Sequence, residues 1–179
     1  MIHAIDKFFN TIALLVMFFL MSSISLPTKT IQQKILRTIT VVEVRNEDIP
    51  TFSPLPASRV GSGFGFRNRP IKGFHPGVDM GAKLGTAIRP AANGLVIRVQ
   101  KKWTGYGHNV IIKHNKAYKT LYAHMSKVLV KVGDYVEVSD TIGLVGSTGL
   151  STCPHLHFEV IENNRKIDPE SIVRFDSIP

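Results

Sequence analysis

The feature that most constrains this chain is a succession of short β-prone runs broken by turn residues. Thr86-Ala87-Ile88, Leu95-Val96-Ile97-Arg98-Val99, Val110-Ile111-Ile112 and Thr120-Leu121-Tyr122-Ala123 are rich in β-branched and aromatic side chains, and Gly94, Gly105, Gly107 and Asn115 separate them. Such side chains suit a pleated, half-buried surface, and glycine supplies the backbone freedom of tight turns. No long amphipathic helical period lies between the runs, so the expected class is all-β.

The start of the chain has another character. Residues 8–26 form an almost unbroken apolar run, led by Lys7 and ended by Ser22, Ser23, Ser25 and Pro27. Residues 1–26 read as a secretory signal peptide or as an apolar helix retained as an N-terminal membrane anchor, because the run is also close to bilayer-spanning length. Either exports the remainder of the chain to the periplasm or cell envelope, with attachment to the inner membrane under the second reading. Residues 27–57 hold a β-prone stretch at 38–44 and then Pro50, Pro54 and Pro56, the composition of a linker. Residues 58–179 remain for one folded domain.

Charge narrows the partners. The formal net charge is +9, and the first 25 residues contain one lysine and one aspartate, so the excess stays with the remainder. A basic protein is drawn to anionic surfaces. The bases are scattered and no nucleic-acid motif occurs, so a wall polymer or membrane surface is expected and nucleic acid is not. Cys153 is the only cysteine, which excludes an internal disulfide.

The chemistry concentrates in Ser151-Thr152-Cys153-Pro154-His155-Leu156-His157-Phe158-Glu159. On a strand, His155, His157 and Glu159 project to one face and Leu156 and Phe158 to the other. Two imidazoles on one face suit a metal site, although two satisfied histidines on a half-buried strand would read the same way. Upstream, Phe74-His75-Pro76-Gly77-Val78-Asp79 places a histidine four residues before a carboxylate. Pro76 and Gly77 speak against a helix, so the expectation is a loop entering a strand. His75, Asp79 and one histidine of the pair would give zinc three protein ligands and leave a fourth position for water, the arrangement of a catalytic site.

These two motifs, in this order, resemble the LytM/lysostaphin-type zinc metallopeptidases, which cut the peptide part of bacterial cell walls. Gly61-Ser62-Gly63-Phe64-Gly65-Phe66-Arg67, Thr120-Leu121-Tyr122-Ala123-His124-Met125-Ser126 and Gly143-Leu144-Val145-Gly146-Ser147-Thr148-Gly149 extend the likeness, which covers roughly residues 59–169. The resemblance implies an antiparallel β-sheet or barrel-like core with a substrate groove. It implies Zn2+ as cofactor, held by His75, Asp79 and His157, with His155 as base and His124 as stabiliser of the oxyanion or leaving amine. Those last two roles could be exchanged. The implied substrate is the peptide stems of peptidoglycan, with no obligate protein partner evident. A non-catalytic peptidoglycan-binding activator of a cell-wall amidase is the alternative, against which all three ligand positions are filled.

Three further residues are candidates for supporting the ligands or lining the groove. Glu159 shares the face of the histidine pair and is expected either to bond a site histidine or to pair with a surface base. His114 matches a recurrent family position without a metal role, and Arg67 lies either at the groove or in solvent. Cys153 stands where the family usually has glycine, and a buried, inert thiol is expected there, with a metal ligand or a redox switch as the other readings.

Overall fold

Among the described residues the strands are β1 (Val60–Ser62), β2 (Gly65–Arg67), β3 (Gly73–His75), β4 (Val78–Gly81), β5 (Ala87–Ile88), β6 (Gly94–Lys101), β7 (His108–Lys113), β8 (Tyr118–Val128), β9 (Tyr135–Val136), β10 (Gly143–Val145), β11 (His155–Glu162) and β12 (Arg165–Ile167), followed by a short 3-10 turn at Pro169–Ser171. The structure, a computed structural model, describes residues 48–68 and 72–175. The leader at 1–26, the start of the linker and the strand expected at 38–44 lie outside the described residues. Within them no helix is long and apolar enough to cross a membrane. The all-β expectation is met, and the four β-prone runs fall in β5, β6, β7 and β8.

The main sheet runs β1-β4-β11-β8-β7-β6-β9, with β12 on β11 and with β10 joining β5 to the second half of β8. Every ladder in it is antiparallel. Among the described residues the path has two ends, so of the two forms expected, a sheet or a barrel-like core, the sheet is the one seen. A separate ribbon pairs β2 with β3.

Alternation along the strands decides which face becomes core. Leu156, Phe158 and Val160 of β11, Val78 and Met80 of β4, Tyr122 of β8 and Val110 and Ile112 of β7 are buried in one continuous cluster. Each large apolar side chain so buried contributes about 1.5–3 kcal/mol. Tyr122 adds a polar atom to that core, and its hydroxyl is satisfied by the Ala91 amide at 2.8 Å and Thr120 Oγ1 at 2.8 Å. Residues 48–57, the described end of the expected linker, run along this core side: Leu55 is buried in the cluster, and backbone bonds join Phe52 to Ala91 and Arg89 to Pro54. The opposite face of β4, β11 and β8 is left for chemistry.

Candidate metal centre and active site

Register brings the first two residues together. His157 pairs with Asp79 on β4 and with Ala123 on β8, and because Leu156 and Phe158 point into the core, Asp79, His157 and Glu159 share the other face. His75 arrives from the ribbon. It closes β3, and Pro76-Gly77 turn the chain into β4, so a turn between two strands stands where a loop entering a strand was expected. Glycine is required in that turn, because a Cβ on Gly77 would lie 2.3 Å from the Phe158 carbonyl oxygen.

Three atoms converge on the shared face. His75 Nε2 lies 3.1 Å from Asp79 Oδ1 and 3.1 Å from His157 Nδ1, and His157 Nδ1 lies 2.9 Å from Asp79 Oδ1. The far ring nitrogens decide where the protons are. His75 Nδ1 donates to the Gly63 carbonyl at 2.7 Å and His157 Nε2 donates to Glu159 Oε1 at 3.1 Å, so the nitrogens that face each other carry lone pairs. Two bare nitrogens and a carboxylate oxygen this close repel one another unless a positive charge sits among them. A tetrahedral zinc site with bonds of about 2.0–2.2 Å has ligand-to-ligand edges of roughly 3.3–3.6 Å. The trio is slightly tighter than that, and two imidazoles with one carboxylate are a fitting donor set.

Asp79 is held in place from its other oxygen. Arg67 Nη1 donates to Oδ2 at 2.9 Å and also bonds Ser62 Oγ, so Oδ1 alone turns toward the histidines. Burial pushes the Asp79 carboxyl up, but the Arg67 hydrogen bond is among the interactions that outweigh it and hold the group well below the usual carboxylate range. Arg67 thus belongs to the centre, with its side chain mostly covered.

His155 and His124 flank the trio. His155 Nδ1 donates to the Cys153 carbonyl at 2.8 Å, with Ser151 Oγ at 3.2 Å, and its Nε2 stands 3.7 Å from Asp79 Oδ1. The carbonyl of Cys153 therefore makes the contact, while its thiol is exposed, contrary to the expected burial. His124 owes its place to a bulge. Pairing jumps from His108↔Met125 to Val110↔Tyr122, so one residue of β7 opposes two of β8, and His124 adopts φ 60°. In strict alternation His124 would follow Tyr122 into the core; the bulge gives that core position to Met125 and turns His124 to the side of Ala123. Its ring centroid is 4.7 Å from that of His155 and 5.8 Å from that of His157. His124 Nδ1 donates to the Thr148 carbonyl at 2.7 Å. Burial pushes its pKa down to about 4 despite that carbonyl, which leaves the ring neutral near pH 7 with Nε2 bare.

Glu159 is fully buried beneath His157, and Tyr106 and Lys166 also reach it. Neither of those two was singled out from sequence. A signal for Lys166 existed: Asn163-Asn164, both with positive φ, join β11 to β12 in a two-residue hairpin whose register sets Lys166 opposite Ile161, on the face of His157 and Glu159. His114 lies elsewhere. It is buried, with Nδ1 donating to the Asn93 carbonyl at 2.8 Å and Nε2 at 2.7 Å from Thr120 Oγ1, so neither nitrogen reaches the cluster.

Residues 73–169 match the sequence profile of Peptidase family M23. A curated relative, the peptidoglycan DD-endopeptidase ShyB of Vibrio cholerae, is 40% identical over 114 residues, covering 62% of this chain and 26% of its own length. A solved zinc-containing peptidase from Vibrio cholerae superposes with a TM-score of 0.59 at 39% identity, covering 63% of this chain and 36% of that one. The catalytic domain of the antimicrobial peptidase lysostaphin from Staphylococcus simulans superposes with a TM-score of 0.60 at 34% identity, covering 65% of this chain and 92% of that domain. The chain spans about a quarter of the length of the curated relatives it matches, from 28% down to 22%.

Proposed function

The chain belongs to Peptidase family M23, and from that premise we propose that it is a zinc-dependent endopeptidase that hydrolyses peptide cross-links of bacterial peptidoglycan during cell-wall remodelling. The observation that carries the reading is the convergence of His75 Nε2, Asp79 Oδ1 and His157 Nδ1, the two nitrogens stripped of protons by the partners of their far sides. When bound there, zinc supplies Lewis acidity, polarising a peptide carbonyl and making water acidic enough to lose a proton near neutral pH.

The surrounding side chains take up the proton work. His155 holds Nδ1–H on the Cys153 carbonyl and offers a bare Nε2 beside Asp79, so it accepts the proton of the attacking water. His124 faces the same point. Its Nε2 is bare near neutral pH, so it serves the oxyanion or the leaving amine once the proton that His155 takes from the water has passed to it. Peptide stems of the wall are the proposed substrate, in keeping with the name of the Vibrio relative and with a basic chain meeting an anionic polymer. Export to the periplasm or envelope follows from residues 1–26, whether these are removed or kept as an anchor.

Incubating the full chain with cross-linked peptidoglycan tests this. The expected outcome is release of peptide fragments that a chelator abolishes and added zinc restores, with mass spectrometry of the fragments naming the bond. Binding without release, with zinc present, would replace the hydrolase with the amidase-activating reading.

A further inference from the structure

Beneath the metal centre lies a cluster that the reaction as described does not use. Tyr106, in the turn between β6 and β7, donates its hydroxyl to Glu159 Oε1 at 2.6 Å. Lys166 of β12 donates to the same oxygen at 3.0 Å and to the Tyr106 hydroxyl at 2.8 Å, while its ammonium lies 5.4 Å from the centre of the Tyr106 ring. His157 Nε2 is the third donor to that oxygen, at 3.1 Å. Glu159 Oε2 is buried with no hydrogen-bond partner among the described residues. A carboxylate free to choose would spread its donors over both oxygens, since each can accept about two. Here all three are gathered on one.

We propose that Tyr106 and Lys166 are positioning residues for the metal centre: they pin Oε1 of Glu159 against Nε2 of His157, locking that ring in the tautomer and orientation that leave Nδ1 bare for the ion. The proposal rests on the metal centre inferred above and extends it by two side chains. The geometry permits little else. The Tyr106 ring centroid is 5.5 Å from that of His157, so tyrosine flanks the imidazole as well as bonding its partner. Glu159 is held from below too, because a Cβ on Gly77 would come within 2.9 Å of its Cγ. With its stem fixed, the carboxylate has one remaining freedom, rotation about its last bond, and the hydroxyl and the ammonium remove it. A carboxylate that swung Oε2 toward the ring would break the alignment of the Nε2–H bond and let the imidazole tip or exchange tautomers, after which Nδ1 would no longer face His75 and Asp79.

The test compares the full-length chain with its Tyr106→Phe and Lys166→Met variants. Zinc affinity is measured by competition with a chromophoric chelator, the absorption spectrum of the cobalt-loaded protein reports the geometry of the ligands, and thermal unfolding of the zinc-free proteins reports the fold. Loss of a supporting partner of this kind weakens metal binding by about 10- to 100-fold. That loss is expected in both variants, with an altered cobalt spectrum and a zinc-free melting temperature close to that of the parent. Lys166 is 39% exposed on a short outer strand, so Lys166→Met keeps the test decisive even where Tyr106→Phe disturbs folding. Zinc affinity within about twofold of the parent and an unchanged cobalt spectrum would overturn the proposal and leave the metal centre standing. A parent chain that binds neither zinc nor cobalt would overturn the metal centre itself, and this inference with it.

Discussion

His114 shows how a buried histidine can report on the fold rather than on the site. Its ring is enclosed, and burial pushes its pKa down to about 4 from an ordinary value of 6.5, the Asn93 carbonyl only partly opposing this. The unfolded chain therefore takes up a proton near pH 6.5 that the folded chain refuses until about pH 4. Stability contributed by this residue is complete above that window and falls as the pH drops through it, by about 3 kcal/mol in all. Urea unfolding of the zinc-free protein at pH 7 and pH 4 should show this fall, and a His114→Leu variant, less stable at pH 7, should show a pH dependence smaller by the same amount. At this scale the sequence was most legible where chemistry sits in side chains. His75, Asp79, His155 and His157 could be named from residue type and spacing, and alternation placed Glu159 beside them. The Gly63, Thr148 and Cys153 carbonyls, which orient three of the histidines, could not, because a backbone oxygen has no letter of its own.

At the scale of elements, the strands were readable as β-prone runs, but their ends and irregularities were not. The run at 120–123 was expected to stop before His124; β8 instead continues to Val128, because a bulge bends a strand without ending its pairing. A histidine in the positive-φ position hides that bulge, where glycine or asparagine would have advertised it. The bulge is braced by two packed turns. Gly149, at φ 76°, lies so close to the turn before β7 that a Cβ would meet Gly105 O and the Gly107 amide nitrogen at 2.3 Å each. Gly149→Ala is expected to cost about 2 kcal/mol or more through backbone clash and strain. It should also reduce turnover beyond what the lost stability explains, since the neighbouring Thr148 carbonyl holds His124. Denaturant midpoints, with turnover measured under fully folded conditions, separate the two effects.

For the whole molecule, class was accessible from gross pattern, while topology was not. Short runs and glycines announce strands, but nothing local tells a long β8 to divide its two edges among β11, β7 and β10, or the main sheet to stay open. That topology separates His75, on a two-stranded ribbon, from Asp79 and His157, on the main sheet. Two-stranded ribbons are marginal by themselves in water. An ion gripped by residues from both sheets would act as a rivet between a weak part and a strong one, and the grip would be felt most by the weak part. Amide hydrogens of residues 64–68 and 73–75 should exchange markedly more slowly when zinc is added, while those of β7 and β8 hardly change, so hydrogen-exchange mass spectrometry could read metal occupancy with no substrate present.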